Sequence, residues 1–159
     1  TFGIDDTDIK EEGATWVLAL QCGEACNIDG AVFLGMRLVQ LNPKAPNKTT
    51  NCTGSAISFA VLPEKKAELI EFVKTFVESH SVSPETGICY IEGLVMPESP
   101  YKKQIKTELL TVEYANEEEK RIGVTYIDSA DSKGRIGSLG ALLGANDGVE
   151  AAGLFGEQP

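Results

Sequence analysis

The chain has 159 residues, 42% of them hydrophobic and 24% charged, and 24 acidic residues against 14 lysines and arginines give a net charge of −10. This composition is typical of an ordinary globular domain and excludes a disordered or collagen-like chain. The excess of negative charge disfavours direct binding to a long stretch of nucleic-acid phosphate backbone. The presence of one histidine, His80, also excludes enzyme classes that need several imidazoles.

The cysteines and the hydropathy indicate the cellular compartment. Cys22, Cys26, Cys52 and Cys89 lack the dense spacing of a disulfide-stabilised secreted domain. Because no apolar run reaches the roughly 20 residues of a membrane span, we expect a cytoplasmic protein with no membrane partner. The chain opens without Met in a strand-like stretch, so we also expect a fragment whose missing C-terminal domains are partners.

The first 95 residues predict the order β-α-β-β-α-β. The segments are a strand at 1–4, a helix from 14, strands at 31–41 and 55–62, a helix after Pro63 and a strand at 87–91. The helix after Pro63 has apolar residues at intervals of three and four, with charged residues on its other face. This order is the split β-α-β arrangement of a ferredoxin-like unit.

The remaining residues predict a second, smaller βαβ-like piece. We expect a helix from 101 to about 112, a solvent-exposed charged stretch at 117–121, a strand at 123–128, a glycine-rich helix at 133–145 and a strand at 150–155. The predicted fold class is α+β, with mixed or antiparallel sheets and helices packed on one face. A boundary at 93–99 would divide units 1–95 and 96–159 that share one core.

The sequence G-I-D-D-T-D at residues 3–8 is the most specific local motif. Asp5, Asp6 and Asp8 repel one another at the end of a strand unless a positive charge lies among them. Mg²⁺ fits such a loop because it binds one or two carboxylates together with substrate phosphates. The alternative is a turn that caps the following helix.

Two further segments could bind a phosphate. The loop at 42–54 combines two prolines with hydroxyl, amide and ammonium groups, notably Lys48, Thr49, Thr50 and Asn51. Later, Gly134, Arg135 and Gly137 lie at the start of a helix, where free N–H groups attract anions. For the loop, the alternative is an ordinary polar connection between strands. For the helix start, the alternative is close packing of a glycine-rich helix on a sheet.

These motifs together resemble the archaeal tRNA(Ile) agmatidine synthetases. The shared motifs are G-I-D-D-T-D, a following Thr, L-N-P-x-x-P-x-K-T and G-R-x-G, in this order. The chain also resembles the methanogenesis marker protein family numbered eleven, through G-I-D-D-T-D-x-K-E-E-G-A-T-W at 3–16 and K-T-T-N-C at 48–52.

The synthetase resemblance implies an ATP- and Mg²⁺-dependent, kinase-like unit at 1–95 and the start of a ferredoxin-like unit at 96–159. In that family, phosphate transfer activates a tRNA cytidine for attack by agmatine, and a Thr that corresponds to Thr15 is phosphorylated. Asp5, Asp6 and Asp8 would then lie near metal and nucleotide, and Lys48 would face the phosphates.

Two functions follow as hypotheses. The first is a phosphoryl-transfer enzyme, ligase-like or kinase-like, that acts on a tRNA or another phosphate acceptor. The second is a catalytically silent nucleotide-binding or assembly module with the same fold. Convergence of Asp5, Asp6, Lys48 and Arg135 around one pocket would favour the first hypothesis.

Overall fold

The computed structural model describes residues 1–9, 11–43, 53–129 and 131–147, together with the backbone of 151–154. Its elements, apart from a single 3₁₀ turn at Pro63–Lys65, are β1 (Phe2–Asp5), α1 (Thr15–Ala25), β2 (Ala31–Gln40), β3 (Thr53–Val61), α2 (Lys66–His80), β4 (Gly87–Tyr90), α3 (Tyr101–Thr107), α4 (Val112–Ile122), β5 (Thr125–Tyr126), α5 (Gly134–Leu143) and β6 (Ala151–Leu154).

The strands described form one antiparallel sheet in the order β5-β4-β1-β3-β2-β6. The inner strands β4-β1-β3-β2, with α1 and α2, have the strand order of a ferredoxin-like unit, so the predicted α+β class and β-α-β-β-α-β order are confirmed. The second piece adds β5 and β6 to opposite edges of this same sheet. The assignment of a kinase-like role to 1–95 and a ferredoxin-like role to 96–159 stays a prediction.

Helices cover both faces of the sheet. Ile4 of β1 and Ile57 of β3 pack in one buried cluster with Leu18 of α1 and Val73 of α2. The opposite face carries a second cluster with residues from α3, α4 and α5, which are Tyr101, Ile105, Ala115, Leu139, Leu142 and Leu143. The expectation of helices on one face therefore holds for α1 and α2 but is wrong for the other three helices.

Helix α5 lies close to the sheet because glycine residues form its contacts with β1 and β4. A Cβ atom on Gly134 would overlap the Glu85 carbonyl oxygen and the backbone nitrogen of Gly87, and one on Gly3 would overlap the Ser138 carbonyl oxygen. Only residues without a side chain permit this approach. The close packing explains the glycines of the G-R-x-G segment, one of the alternatives left open by the sequence.

The region at 101–122 differs from the prediction. The expected single helix ends at Thr107 because Glu108 is extended, and a new helix starts after Thr111, whose side chain accepts a hydrogen bond from Tyr114 N at 3.1 Å. The charged stretch is also not wholly exposed. Glu118 is only 4% exposed, since its carboxylate pairs with Arg121 and accepts a hydrogen bond from Ser99.

Within the described ranges, Cys22, Cys26 and Cys89 are free thiols, while Cys52 lies outside them. Burial raises the pKa of the Cys22 and Cys89 thiols to about 12, so both stay protonated and act as core residues. None of the described helices combines the length and the hydropathy needed to cross a membrane.

We predict that Gly134→Ala lowers the free energy of unfolding by roughly 2–3 kcal/mol, because the new methyl group meets rigid backbone. Gly140→Ala on the same helix is the matched control. Its Cβ would lie 2.9 Å from Ile105 Cγ1 and 3.0 Å from Leu41 Cδ2, which are side-chain atoms that can shift. Urea denaturation compares the two variants, and equal losses of stability would contradict the backbone contact.

Candidate functional site

The acidic loop, residues 5–8, starts at the last residue of β1 and leads toward α1. Asp6 has φ 54°, and it is the only non-glycine residue with positive φ in the described part of the chain. Aspartate tolerates this left-handed conformation better than most residues, but the conformation still costs on the order of 1 kcal/mol. The loop is therefore a tight turn that the surrounding fold must hold in place.

Asp5 lies under the first turn of α5. A Cβ atom on Gly137 would overlap the Asp5 carboxylate, so this glycine makes the space that the carboxylate occupies. Loss of hydration, followed by the charges of Asp6 and Asp8, raises the pKa of Asp5 well above its usual range, although the Asp6 N–H donates to it and acts in the other direction. A cation at this point would relieve the repulsion.

Asp6 is also perturbed by its surroundings. Loss of hydration is the largest cause that raises its pKa, to about 6, and the charges of Asp8 and Glu85 add to it. The ammonium group of Lys133 opposes them. Lys133 is thus the cation from the glycine-rich segment that acts on the acidic loop, and the sequence reasoning assigned it no role.

The Thr15 hydroxyl, at the first residue of α1, is held by three hydrogen bonds. Its Oγ1 accepts from Thr7 N at 3.3 Å and from Thr7 Oγ1 at 3.1 Å, and it donates to Asp8 Oδ1 at 3.3 Å. Thr15 and Asp8 are 6% and 8% exposed. The fold therefore brings the predicted acceptor hydroxyl onto a carboxylate of the acidic loop.

Arg135 points away from the acidic loop. Its guanidinium donates to Asp128 Oδ2 at 2.9 Å and to Asn116 Oδ1 at 3.2 Å, pairs with Asp131, and lies 4.5 Å from the centre of the Tyr126 ring. These contacts tie α5 to α4 and β5. Among the residues predicted at this helix start, the structure brings Gly134 and Gly137 to the acidic side, and not the Arg135 side chain.

The loop between β2 and β3 begins and ends at the same end of the sheet as the acidic loop. Gln40 pairs with Thr53, and Ser55 pairs with Ile4, the residue before Asp5. Lys48, Thr49, Thr50 and Asn51 lie outside the described residues. Their contact with the acidic loop therefore stays a prediction, supported by where the two strands end.

Ser55 is a polar residue that the sequence reasoning overlooked. It is 1% exposed, and its Oγ has no hydrogen-bond partner among the described residues. A buried hydroxyl without a partner costs about 1–3 kcal/mol. Because Ser55 pairs with Ile4, its hydroxyl lies at the end of the sheet that carries the acidic loop.

The donor chemistry fits Mg²⁺ only as an open site. In residues 1–9, 11–43, 53–129 and 131–147, no group of three or more carboxylate, thiol or imidazole side chains is arranged to hold a metal ion. Asp5 and Asp6 supply hard oxygen ligands, and Mg²⁺ commonly uses one or two carboxylates and completes its shell with water and phosphate. The residues thus suit a metal that arrives with a nucleotide.

Comparisons with known proteins show which proteins this chain is similar to. Residues 1–67 match the family model described as the TiaS TCKD domain. The 2-agmatinylcytidine synthetase TiaS of Pyrococcus horikoshii, which acts on an isoleucine tRNA, is 30% identical over 147 residues, which span 88% of this chain and 34% of that protein. This chain is a relative of the agmatidine synthetases. An uncharacterised protein of Methanocaldococcus jannaschii is 41% identical over 143 residues, which span 88% of the chain and 48% of that protein.

Solved synthetase structures share the fold. The TiaS complex with its isoleucine tRNA and ATP superimposes with a TM-score of 0.77 at 24% identity, over 89% of this chain and 35% of that one. The complex with the same tRNA, AMPCPP and agmatine gives 0.73 at 23% identity, with the same coverage. The chain therefore spans about a third of the synthetases' length and about half that of the Methanocaldococcus protein.

We predict that Asp6→Asn stabilises the protein at about pH 7 by about 1–2 kcal/mol. Between the usual value of 3.8 and the raised value of about 6, the folded state keeps a proton that the unfolded state loses, so this group lowers stability as pH rises. The gain should shrink steadily as the pH falls toward about 4, because the unfolded state then also begins to hold the proton.

Asn also tolerates the left-handed backbone at this position, so the substitution changes mainly the charge. Asp29→Asn, at an exposed carboxylate, is the matched control. Urea denaturation from about pH 4 to pH 8 measures both variants. A stability difference for Asp6→Asn that does not depend on pH would contradict the assigned cause.

Proposed function

We propose that this chain carries a Mg²⁺- and ATP-dependent phosphoryl-transfer site in which the Thr15 hydroxyl is the first phosphate acceptor. The observation that carries the proposal is the hydrogen bond from Thr15 Oγ1 to Asp8 Oδ1, in a loop that also contains Asp5 and Asp6, whose pKa values are raised. A hydroxyl, an oriented proton acceptor and a cation-attracting loop are the groups that such a transfer requires.

The synthetase relatives support ATP as the nucleotide. The solved TiaS complexes named above contain ATP or AMPCPP, with an isoleucine tRNA and, in one case, agmatine. For this chain we propose a nucleotide partner and a tRNA or another final acceptor brought by further C-terminal domains. A role in a methanogen, as the marker family implies, belongs to the same proposal.

In this proposal Asp5 and Asp6 would hold the Mg²⁺, which neutralises phosphate charge when it is bound. Asp8, also predicted as a metal ligand, would bind the ion through its second carboxylate oxygen, because Oδ1 accepts the hydrogen bond from Thr15. Lys48, Thr49, Thr50 and Asn51 would bind the phosphates from the β2–β3 loop. Gly134 and Gly137, predicted as nucleotide-binding residues, would let the start of α5 pack against β4 and Asp5, and Arg135 would hold that helix in place.

The chemical step conserves atoms and charge. Thr15 Oγ1 forms a bond to the γ-phosphorus as the bond from that phosphorus to the β–γ bridging oxygen breaks, and ADP leaves. The hydroxyl proton passes to Asp8 Oδ1, which already accepts a hydrogen bond from it. Thr7 would fix the orientation of the Thr15 oxygen through its two hydrogen bonds.

A second candidate function is a catalytically silent nucleotide-binding or assembly module. The low exposure of Thr15 favours it, because a hydroxyl that is bonded within the fold can simply fix the start of α1. The two candidates differ in one measurable property, which is whether phosphate becomes covalently attached to the chain.

We predict that the full chain gains one phosphate when it is incubated with ATP and Mg²⁺, that Thr15→Val gains none and that Thr15→Ser retains the gain. Valine has nearly the same shape as threonine but no nucleophile, whereas serine keeps the hydroxyl. Intact mass spectrometry with peptide mapping measures the result. An unmodified parent chain would favour the silent module, and phosphate on another residue would refute the assignment of Thr15.

A further inference from the structure

The turn between α2 and β4 contains two hydroxyl groups that the chemistry above does not use directly. Ser81 Oγ and Thr86 Oγ1 lie 2.5 Å apart. Thr86 Oγ1 lies 3.1 Å from the Asp6 carbonyl oxygen, and Ser81 Oγ lies 3.3 Å from the Thr7 carbonyl oxygen. The pair therefore contacts the backbone of two consecutive residues of the acidic loop, from a segment about 75 residues away in sequence.

The protons of this pair can be arranged in two ways that satisfy the short contact. If Ser81 donates to Thr86, Thr86 can donate to the Asp6 or the Ser83 carbonyl oxygen, both at 3.1 Å. If Thr86 donates to Ser81, Ser81 can donate to the Thr7 carbonyl oxygen at 3.3 Å or to the Ser83 carbonyl oxygen at 3.1 Å. In either arrangement one hydroxyl proton lies within reach of a carbonyl oxygen of the acidic loop, with the Ser83 carbonyl as the other acceptor. The pair is itself fixed, because Ser83 N donates to Ser81 Oγ at 3.1 Å and Thr86 is 7% exposed.

Thr7 connects this pair to the predicted phosphate acceptor. Its carbonyl oxygen accepts from Val82 N at 3.0 Å as well as from Ser81 Oγ, while its N–H and hydroxyl both donate to Thr15 Oγ1. A shift of the Thr7 peptide therefore moves the Thr15 hydroxyl. Since a misplacement of about 1 Å can cost a reaction on the order of 100-fold, such an anchor has a large effect on rate.

The acidic loop needs an anchor of this kind. Asp6 holds a left-handed backbone conformation, and the carboxylates of Asp5, Asp6 and Asp8 repel one another. Both effects favour opening of the turn. Hydrogen bonds to the loop carbonyls oppose that opening without adding charge near the carboxylates.

We propose that Ser81 and Thr86 are positioning residues, which hold the Asp6 and Thr7 peptides so that the Thr15 hydroxyl meets the γ-phosphate in the geometry for transfer. The inference rests on the proposed function and deepens it. It assigns a role in the reaction to a segment outside residues 1–67, the part that matches the family model.

The test compares the parent chain with Thr86→Val, Thr86→Ser and Thr111→Val. Thr86→Val removes the hydroxyl and keeps the shape, and Thr86→Ser keeps the hydroxyl. Thr111→Val removes the cap of α4 and so provides a stability control at a distant hydrogen-bonded threonine. Intact mass spectrometry follows phosphate on Thr15 over time at several concentrations of Mg²⁺–ATP, and thermal unfolding is measured in parallel.

We expect Thr86→Val to lower the rate at saturating Mg²⁺–ATP by about tenfold or more, with the half-saturating concentration changed by less than about threefold. Thr86→Ser should restore the rate to within about threefold of the parent, and Thr111→Val should keep the parental rate despite its loss of stability. A Thr86→Val rate equal to that of Thr111→Val would overturn the positioning role alone. A parent chain that gains no phosphate would overturn the proposed function and this role with it.

Discussion

The close approach of α5 to β1 and β4 is the constraint on which the rest of the structure depends. Gly134 packs against the backbone of Gly87, and Gly137 leaves room for the Asp5 carboxylate at the end of β1. This packing places a second helical layer on the sheet. It also removes water from Asp5, so the same contact that completes the core raises the pKa of a carboxylate at the candidate site.

The candidate site is assembled from segments that are distant in sequence. The acidic loop supplies the carboxylates, the start of α1 supplies Thr15, the turn after α2 supplies Ser81 and Thr86, and the segment before α5 supplies Lys133. In the described part of the chain, hydrogen bonds to backbone and hydroxyl groups hold the loop to α1 and to the α2–β4 turn.

Hydrophobic patterning and the turn residues between segments were sufficient to predict the ferredoxin-like order, most clearly at α2, which buries one regular apolar face. These features could not predict which face of the sheet α5 would cover, because Gly3, Gly87 and Gly134 have no side chain that shows a direction. The spacing of G-R-x-G placed Arg135 near an anion site, but the position of its partner Asp128 depends on tertiary structure. The burial of Glu118 could not be predicted for the same reason, because its hydrogen-bond donor Ser99 comes from another segment.

The central claim, that the acidic loop is a Mg²⁺-dependent nucleotide site, is tested most directly by calorimetric titration of the full chain with ATP, with and without Mg²⁺. The account predicts binding only with Mg²⁺, loss of that binding in the Asp5→Asn, Asp6→Asn double variant, and parental binding in Glu113→Gln, Glu117→Gln, which removes the same charge from the exposed face of α4. Binding of ATP by the Asp5, Asp6 double variant with the parent's affinity, or by the parent without Mg²⁺, would contradict it.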